Sequence, residues 1–361
     1  MTTVLLISPS LQANVQVGEH PNSFSLGLGY LHSIIRGAGY AIETFSHNNL
    51  PIEVSEKEIE EKIKTLSPDF FLVQILTMNR VAAKRAITLA RKLKPGMPII
   101  AGGIHASIYY GQTLESYGAD HVVIGEGERT IVELLGALST GLPIDGIKGI
   151  AFKREGKVVL TAERELIEDL DAIPFPSHEL FITPKTTAVG LLTSRGCPFK
   201  CSFCCLHTIS KRRFRKRSVN NVVDEIEAVR RNFPQITYMQ IADDTFTIDL
   251  VRAMDFCREI IRRGVKMKFW CSARIKPASI ELFELMERAG FVGIGFGLET
   301  GSAKLLKSIH KNITREEVIQ TFEMLKGRKI NIATFLMVGF PGETDATVAE
   351  TIDLIKRLQK I

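Results

Sequence analysis

Two series of short apolar runs, each interleaved with amphipathic stretches, confine this chain to an α/β fold. In the first series, runs at 4–8, 40–45, 69–76, 98–101 and 121–124 alternate with helical patterns at 26–38, 56–66, 80–93, 109–117 and 129–139. Runs apolar at nearly every position must be covered on both faces, so this half reads as a doubly wound, Rossmann-like parallel sheet with helices on both sides. The second series places strands at 188–193, 238–242, 268–273, 293–298 and 332–338, and helices at 219–231, 250–263, 279–289, 314–326 and 345–358. This too is β/α repetition, of barrel type, and the face at the carboxyl ends of barrel strands is the catalytic one.

Between the two series, residues 147–160 read as a hairpin around Glu155 and Gly156. The proline-bearing "EDLDAIPFPSHEL" that follows reads as a linker. The expected organisation is therefore 1–145, a first domain; 146–186, hairpin and linker; and 187–361, a second domain. A chain of 361 residues that is 45% hydrophobic is long enough for two such cores. No run approaches the roughly 20 apolar residues of a membrane span. The start, Met1 to Ile7, lacks the basic region and cleavage site of a secretory signal. The expectation is a soluble, cytoplasmic protein whose thiols stay reduced. The net charge of +6 is mild and does not demand nucleic acid.

Open parallel sheets bind ligands beyond the carboxyl ends of their strands. In the first half those ends carry Ser8, Pro9 and Ser10; Gln74 and Thr77; Gly102, Gly103 and His105; and Gly125, Glu126 and Gly127. Glycines there either turn the chain or let backbone approach a bulky ligand.

The second half carries its chemistry in "SRGCPFKCSFCC", where Cys197, Cys201 and Cys204 stand as C-x3-C-x2-C directly after the first strand. Thiolates select soft metals, which leaves zinc or an iron–sulfur cluster. Structural zinc wants four ligands. Cys205 is a poor fourth, since adjacent extended residues point opposite ways. Cys257 and Cys271 fall in a helical and a strand pattern, where lone cysteines are small core residues. Three thiolates suit a four-iron, four-sulfur cluster with one iron open.

"RGCPFKCSFC", with Phe203 just before its third cysteine, resembles the cluster loop of the radical S-adenosylmethionine (SAM) enzymes. The resemblance runs over residues 188–345. It implies that SAM chelates the open iron and that one electron from the cluster, at potentials reaching about −700 mV in iron–sulfur proteins, cleaves it to a 5′-deoxyadenosyl radical. By the same resemblance, Asp243 and Asp244 of "IADDTF" would meet the methionyl amino group of SAM. Ser272 and Arg274 of "WCSAR" would meet its carboxylate or ribose, and Glu299 of "GFGLETG" the ribose. Val338 and Gly339 of "MVGFPGET" would lie along the adenine. The barrel of that family usually has six strands; five are counted before Ile361, so the chain is expected either to be truncated or to close its barrel with another segment.

No cysteine precedes Cys197, which excludes the methylthiotransferase branch with its second cluster. The first half, with "GGIHAS", "ADHVVIGEGERT" and the "LGLGYLHSIIRGAGY" helix, is similar to the cobalamin-binding domain of cobalamin-dependent radical SAM enzymes. That similarity implies a base-off corrinoid whose nucleotide tail inserts beside the sheet, with Gly102 and Gly103 making room. After the first strand, "SPSLQANVQVGEH" lacks the D-x-H-x-x-G signature that supplies a histidine to cobalt, so the resemblance implies a cobalt without a protein nitrogen ligand.

The resemblance thus implies a methyltransferase that moves a methyl group through methylcobalamin to an unactivated carbon of a small-molecule or natural-product substrate. A cyclase or ring-rearranging enzyme with the same cofactors is the alternative, and a zinc-stabilised RNA-binding module the remote one. The run "SKRRFRKRS", residues 210–218 with six basic side chains, would be a solvated loop or a steering surface for a reductase such as flavodoxin. Its single aromatic, Phe214, argues against nucleic acid.

Overall fold

The computed structural model describes residues 2–11 and 25–361. It divides into two compact units, Met1–Thr183 and Pro184–Ile361. Most of the "SPSLQANVQVGEH" segment, from Gln12 on, lies outside the described residues.

The first unit is built on a seven-stranded sheet: β1 (Thr3–Ser8), β2 (Ala41–Ser46), β3 (Phe70–Gln74), β4 (Ile99–Gly102), β5 (His121–Val123), β6 (Ile150–Arg154) and β7 (Lys157–Leu160), in the order β2-β1-β3-β4-β5-β6-β7. Strands β1 to β5 pair in parallel, as the alternation requires. The β6–β7 hairpin turns at Glu155 and Gly156, both left-handed (φ 49° and 77°), and adds antiparallel to β5. Instead of lying apart, this hairpin extends the first sheet.

The continuous apolar runs make two cores, one per face. Leu5, Ile7, Phe71, Val73, Ile99 and Ala101 pack on the alanine-rich helix Arg80–Leu93 and on Ile59 and Ile63 of the helix Ile52–Leu66. Val4, Leu6, Phe70, Leu72 and Ile100 pack on Leu28 and Ile35 of the helix Leu26–Gly37 and on Leu134 and Leu135 of the helix Glu128–Thr140. Each such side chain contributes about 1.5–3 kcal/mol by leaving water. The helix Ile52–Leu66 begins earlier than its charged pattern suggested, because Ile52 and Ser55 already lie on its buried stripe. The stretch read as one helix at 109–117 is two short ones, Ile104–Ile108 and Tyr110–Glu115, broken at Tyr109.

The second unit carries β8 (Ala188–Leu191), the short ribbon β9 (Ser194–Arg195) and β10 (Arg215–Lys216), then β11 (Tyr238–Ile241), β12 (Lys268–Ala273), β13 (Phe291–Glu299) and β14 (Asn331–Leu336). Five of these form a parallel sheet in the order β14-β13-β12-β11-β8. Its two faces differ. On one, Phe269 and Phe291 meet Phe256 of the helix Leu250–Arg262, with ring centroids 5.6 and 6.3 Å apart, and Phe296 meets Phe322 of the helix Arg315–Leu325 at 6.0 Å. On the other, paired positions read Gly190, Gln240, Trp270, Gly293 and Asn331 in one row, and Ser272, Gly295 and Ala333 in the next. Edge strand β14 leaves Phe335 and Leu336 exposed. Among the described residues no helix is long and apolar enough to cross a membrane.

Candidate functional site

In the first unit the chain order reverses between β1 and β3, so the crevice of a doubly wound sheet opens where Ser8 and Gln74 end their strands. Asn79, which the sequence reading missed, stitches this place together. It stands at the start of the helix Arg80–Leu93 but does not cap it. Its amide nitrogen instead donates to the Gln74 carbonyl at 3.2 Å and to Ser8 Oγ and the Pro9 carbonyl at 3.5 Å, while its oxygen accepts from Leu76 N. Ser8 and Ser10 turn their hydroxyls to Asn48 Oδ1 and the Leu50 carbonyl. Gln74 accepts from Ser25 Oγ at 2.8 Å.

His105 is buried, with Nδ1 3.2 Å from Thr77 Oγ1 and Nε2 3.4 Å from the Tyr117 hydroxyl. Burial holds its pKa below the ordinary value. Glu126 accepts from Ile167 N at 2.9 Å. Gly103 (φ 96°) has a purely internal reason to be glycine: a Cβ there would stand 2.7 Å from the Ile75 carbonyl oxygen. A Cβ on Gly102 would rest in ordinary contact with Val123 at 3.9 Å, and Gly125 has open space where a side chain would go. A Cβ on Gly127 would meet Leu31 at 3.4 Å. Open room beside the sheet is thus at Gly125, Gly102 would accept a small side chain in ordinary contact, and Gly103 serves the close approach of the Ile75 backbone.

In the second unit the cysteine loop leaves β8 through a braced neck. Asp243, after β11, is 3% exposed, and its carboxylate accepts from Thr193 N and Oγ1 (2.6 and 2.5 Å) and from Ser194 N and Oγ (3.0 and 2.5 Å). Arg252 adds bonds to Thr193 Oγ1 and its carbonyl. Asp244 accepts from Gly196 N at 3.0 Å. Burial pushes both carboxyls above the ordinary aspartate range, and the hydrogen bonds oppose it. Gly196 (φ 87°) passes so close to the segment leading into β10 that a Cβ would fall 2.1 Å from the Arg213 carbonyl oxygen. Residues chosen as SAM contacts thereby fix where Cys197 emerges.

Cys197, Cys201 and Cys204 are partly exposed, whereas Cys257 and Cys271 are buried. Burial raises the thiols of Cys197 and Cys204, the neighbouring cysteines raise them further, and Arg274 draws Cys197 the other way. Three cysteines within eight residues carry the soft sulfur donors that a metal group takes. Among the described residues no three histidine, cysteine or carboxylate side chains converge on a single metal ion. Three sulfurs are one ligand short of a structural zinc site and match the three protein-held corners of a four-iron cluster with one iron open.

Around this loop, Phe203 stands 5.8 Å from Phe340, ring to ring, and 5.8 Å from Lys311 Nζ. Lys311, also missed in the sequence, donates to Glu299 Oε1 at 2.7 Å, and both are buried. Gly297 makes the space: a Cβ there would lie 2.7 Å from Glu299 Oε1 and 2.9 Å from Lys311 Nζ. Ser272 lies half-buried on the glycine-lined face. Val338 is 82% exposed, and Gly339 N donates to Glu343. The basic run is not a uniform solvated loop: Arg215 and Arg217 are buried, Arg217 against Glu225, and Lys216 pairs with Asp249.

Comparison with known proteins agrees on both halves. Residues 191–355 match the family model described as the radical SAM superfamily, and residues 20–135 that of the B12 binding domain. An uncharacterized methyltransferase of Pyrococcus horikoshii is 30% identical over 98% of this chain and 78% of its own length. The anaerobic magnesium-protoporphyrin IX monomethyl ester cyclase of Rubrivivax gelatinosus is 29% identical over 93% of this chain, which spans 64% of that relative. The structure of the radical S-adenosylmethionine methyltransferase TsrM from Kitasatospora setae, with cobalamin and a 4Fe–4S cluster bound, superposes with a TM-score of 0.84 at 22% identity, covering 99% of this chain and 74% of that one.

Proposed function

Because this chain belongs to the radical SAM superfamily and joins a B12-binding domain to its cysteine loop, we propose that it is a cobalamin-dependent methyltransferase acting on an unactivated carbon of a small molecule. The observation that carries the reading is the pairing, in one chain, of a three-cysteine loop braced at its neck with a doubly wound sheet whose strand order reverses between β1 and β3. When bound, the cluster supplies the electron that cleaves SAM and the corrinoid carries the methyl group.

The chain's own residues do the positioning. Cys197, Cys201 and Cys204 would hold three irons. Asp243 and Asp244 lock the Thr193–Gly196 backbone, so that the cysteines are presented from a rigid neck. Glu299, oriented by Lys311, offers a carboxylate oxygen to ribose hydroxyls. Phe203 packs its ring on Phe340 beside the loop. Trp270 lies over Gly293 and Gly295, so SAM would sit beside Ser272, its adenine along Val338 and Gly339. In the first unit Ser8, Pro9, Ser10, Gln74, Thr77, His105, Glu126 and Gly127 would frame the corrinoid's place, with both ring nitrogens of His105 held by the Thr77 and Tyr117 hydroxyls. A reductase such as flavodoxin supplies the electron.

Incubating anaerobically reconstituted protein with SAM and a reductant is expected to release 5′-deoxyadenosine and S-adenosylhomocysteine in step. No 5′-deoxyadenosine would contradict the reading. The likeness to the cyclase of Rubrivivax gelatinosus favours a second one, cyclisation with the same cofactors, and 5′-deoxyadenosine without S-adenosylhomocysteine would select it.

A further inference from the structure

Arg274, at the end of β12, is 6% exposed. Its Nη1 donates to Cys201 Sγ at 3.4 Å and its Nη2 to the Lys311 carbonyl at 2.5 Å, while the guanidinium lies 3.8 Å over the Phe199 ring. Cys201 and Phe199 both belong to the cysteine loop, so one planar cation grips that loop by a sulfur and a ring at once.

Buried cations are ordinarily matched by carboxylates. Lys311 has Glu299, and Arg217 has Glu225. Among the described residues no carboxylate pairs with Arg274. What it meets instead are the Cys201 sulfur, the Lys311 carbonyl and the face of the Phe199 ring.

We propose that Arg274 is the positioning residue of the cluster loop: it fixes the Cys201 sulfur and, as the counter-charge of the thiolates, raises the reduction potential of the cluster they hold. The argument rests on reading Cys197, Cys201 and Cys204 as cluster ligands. Reduction adds negative charge, so a buried cation and a hydrogen bond to a ligating sulfur favour the reduced form. The planar fork matters as well as the charge. An ammonium cannot reach Sγ and the Lys311 carbonyl while stacking flat on Phe199. A guanidinium committed in this way is not the carboxylate or ribose contact to SAM that the "WCSAR" resemblance implied.

The test is a redox titration of the reconstituted full-length chain, followed by electron paramagnetic resonance, for the wild type, Arg274→Gln and Arg274→Lys, with iron and sulfide measured in each. At a fixed poise the reduced-to-oxidised ratio is expected to fall about tenfold in Arg274→Gln, equivalent to about 59 mV for one electron, and about threefold in Arg274→Lys. If Arg274→Gln fails to hold a cluster, Arg274→Lys decides. A cluster-bearing variant titrating with the wild type overturns the proposal. So does a large loss of SAM affinity in equilibrium dialysis with an unchanged potential, which would return Arg274 to SAM. A wild-type chain that takes up iron and sulfide while the variants show no shift spares the cluster reading and sinks only this one. Failure of the wild type to take up either would sink both.

Discussion

Both sheets are built on five parallel, helix-flanked strands, yet consecutive residues tell them apart. In β1, Leu5 and Leu6 point to opposite faces and both are buried under helices. In β13, Phe296 is buried under a helix while its neighbours Gly295 and Gly297 face the other way and present almost no side chain. The first sheet uses both faces to build stability and keeps its chemistry at the strand ends. The second gives up one face, where Trp270 lies across Gly293 and Gly295 close enough that a Cβ on Gly295 would come within 2.6 Å of the indole. A sheet that forgoes a core on one side needs other support, and here it is polar: the Asp243 carboxylate with Thr193 and Ser194, and the Glu299–Lys311 pair.

Leu5→Ala should show the largest effect of this difference, about 2–5 kcal/mol lost in chemical denaturation, because the sandwiched site cannot collapse around the cavity. Gly295→Ala should cost less, about 1–3 kcal/mol of overpacking against Trp270. Adding Trp270→Ala should recover most of that loss, a coupling that a double-mutant cycle reads directly. If Gly295→Ala costs as much as Leu5→Ala and Trp270→Ala does not relieve it, the glycine face is a packed core after all and the comparison breaks.

The smallest effect is in pH. His32, His47, His105 and His121, all in the first unit, are held below the ordinary histidine pKa of 6.5, burial being the main cause. The unfolded chain then binds more protons than the folded one as pH falls through 6.5, so the first unit loses stability there. Hydrogen exchange, corrected for intrinsic rates, should show β1 and β3 amides losing protection between pH 7 and 5.5, with β11 and β12 nearly unchanged. His47, bonded to Ser55 Oγ at 2.9 Å and to Glu58 at 2.8 Å, should carry part of the slope, and His47→Gln should flatten it.

Much of this difference stands in the sequence, since period and composition carry it: "TVLLIS" is apolar on both parities, and "FVGIGFGLE" is apolar on one and glycine on the other. The three cysteines were legible for the same local reason. What spacing could not show was which polar atoms are already spent. Asp243 and Asp244 stand where SAM contacts were expected, yet their oxygens hold the neck of the loop 48 to 50 residues earlier in the chain. Lys311 reaches Glu299 only because the helix Ala303–Ser308 brings it back. Asn79 looks like a helix cap and acts instead on two strand ends. Gly103 reads as ligand clearance, but the Ile75 carbonyl explains it.

The central claim is that Cys197, Cys201 and Cys204 hold a cluster with one iron left for SAM. The most direct measurement is iron and sulfide analysis of the anaerobically reconstituted chain together with its low-temperature spectrum, with and without SAM. About four irons and four sulfides per chain, with a spectrum that shifts when SAM is added and a cluster that is lost in Cys201→Ala, is the expected result. Zinc without sulfide, or a cluster unaffected by Cys201→Ala, would contradict it.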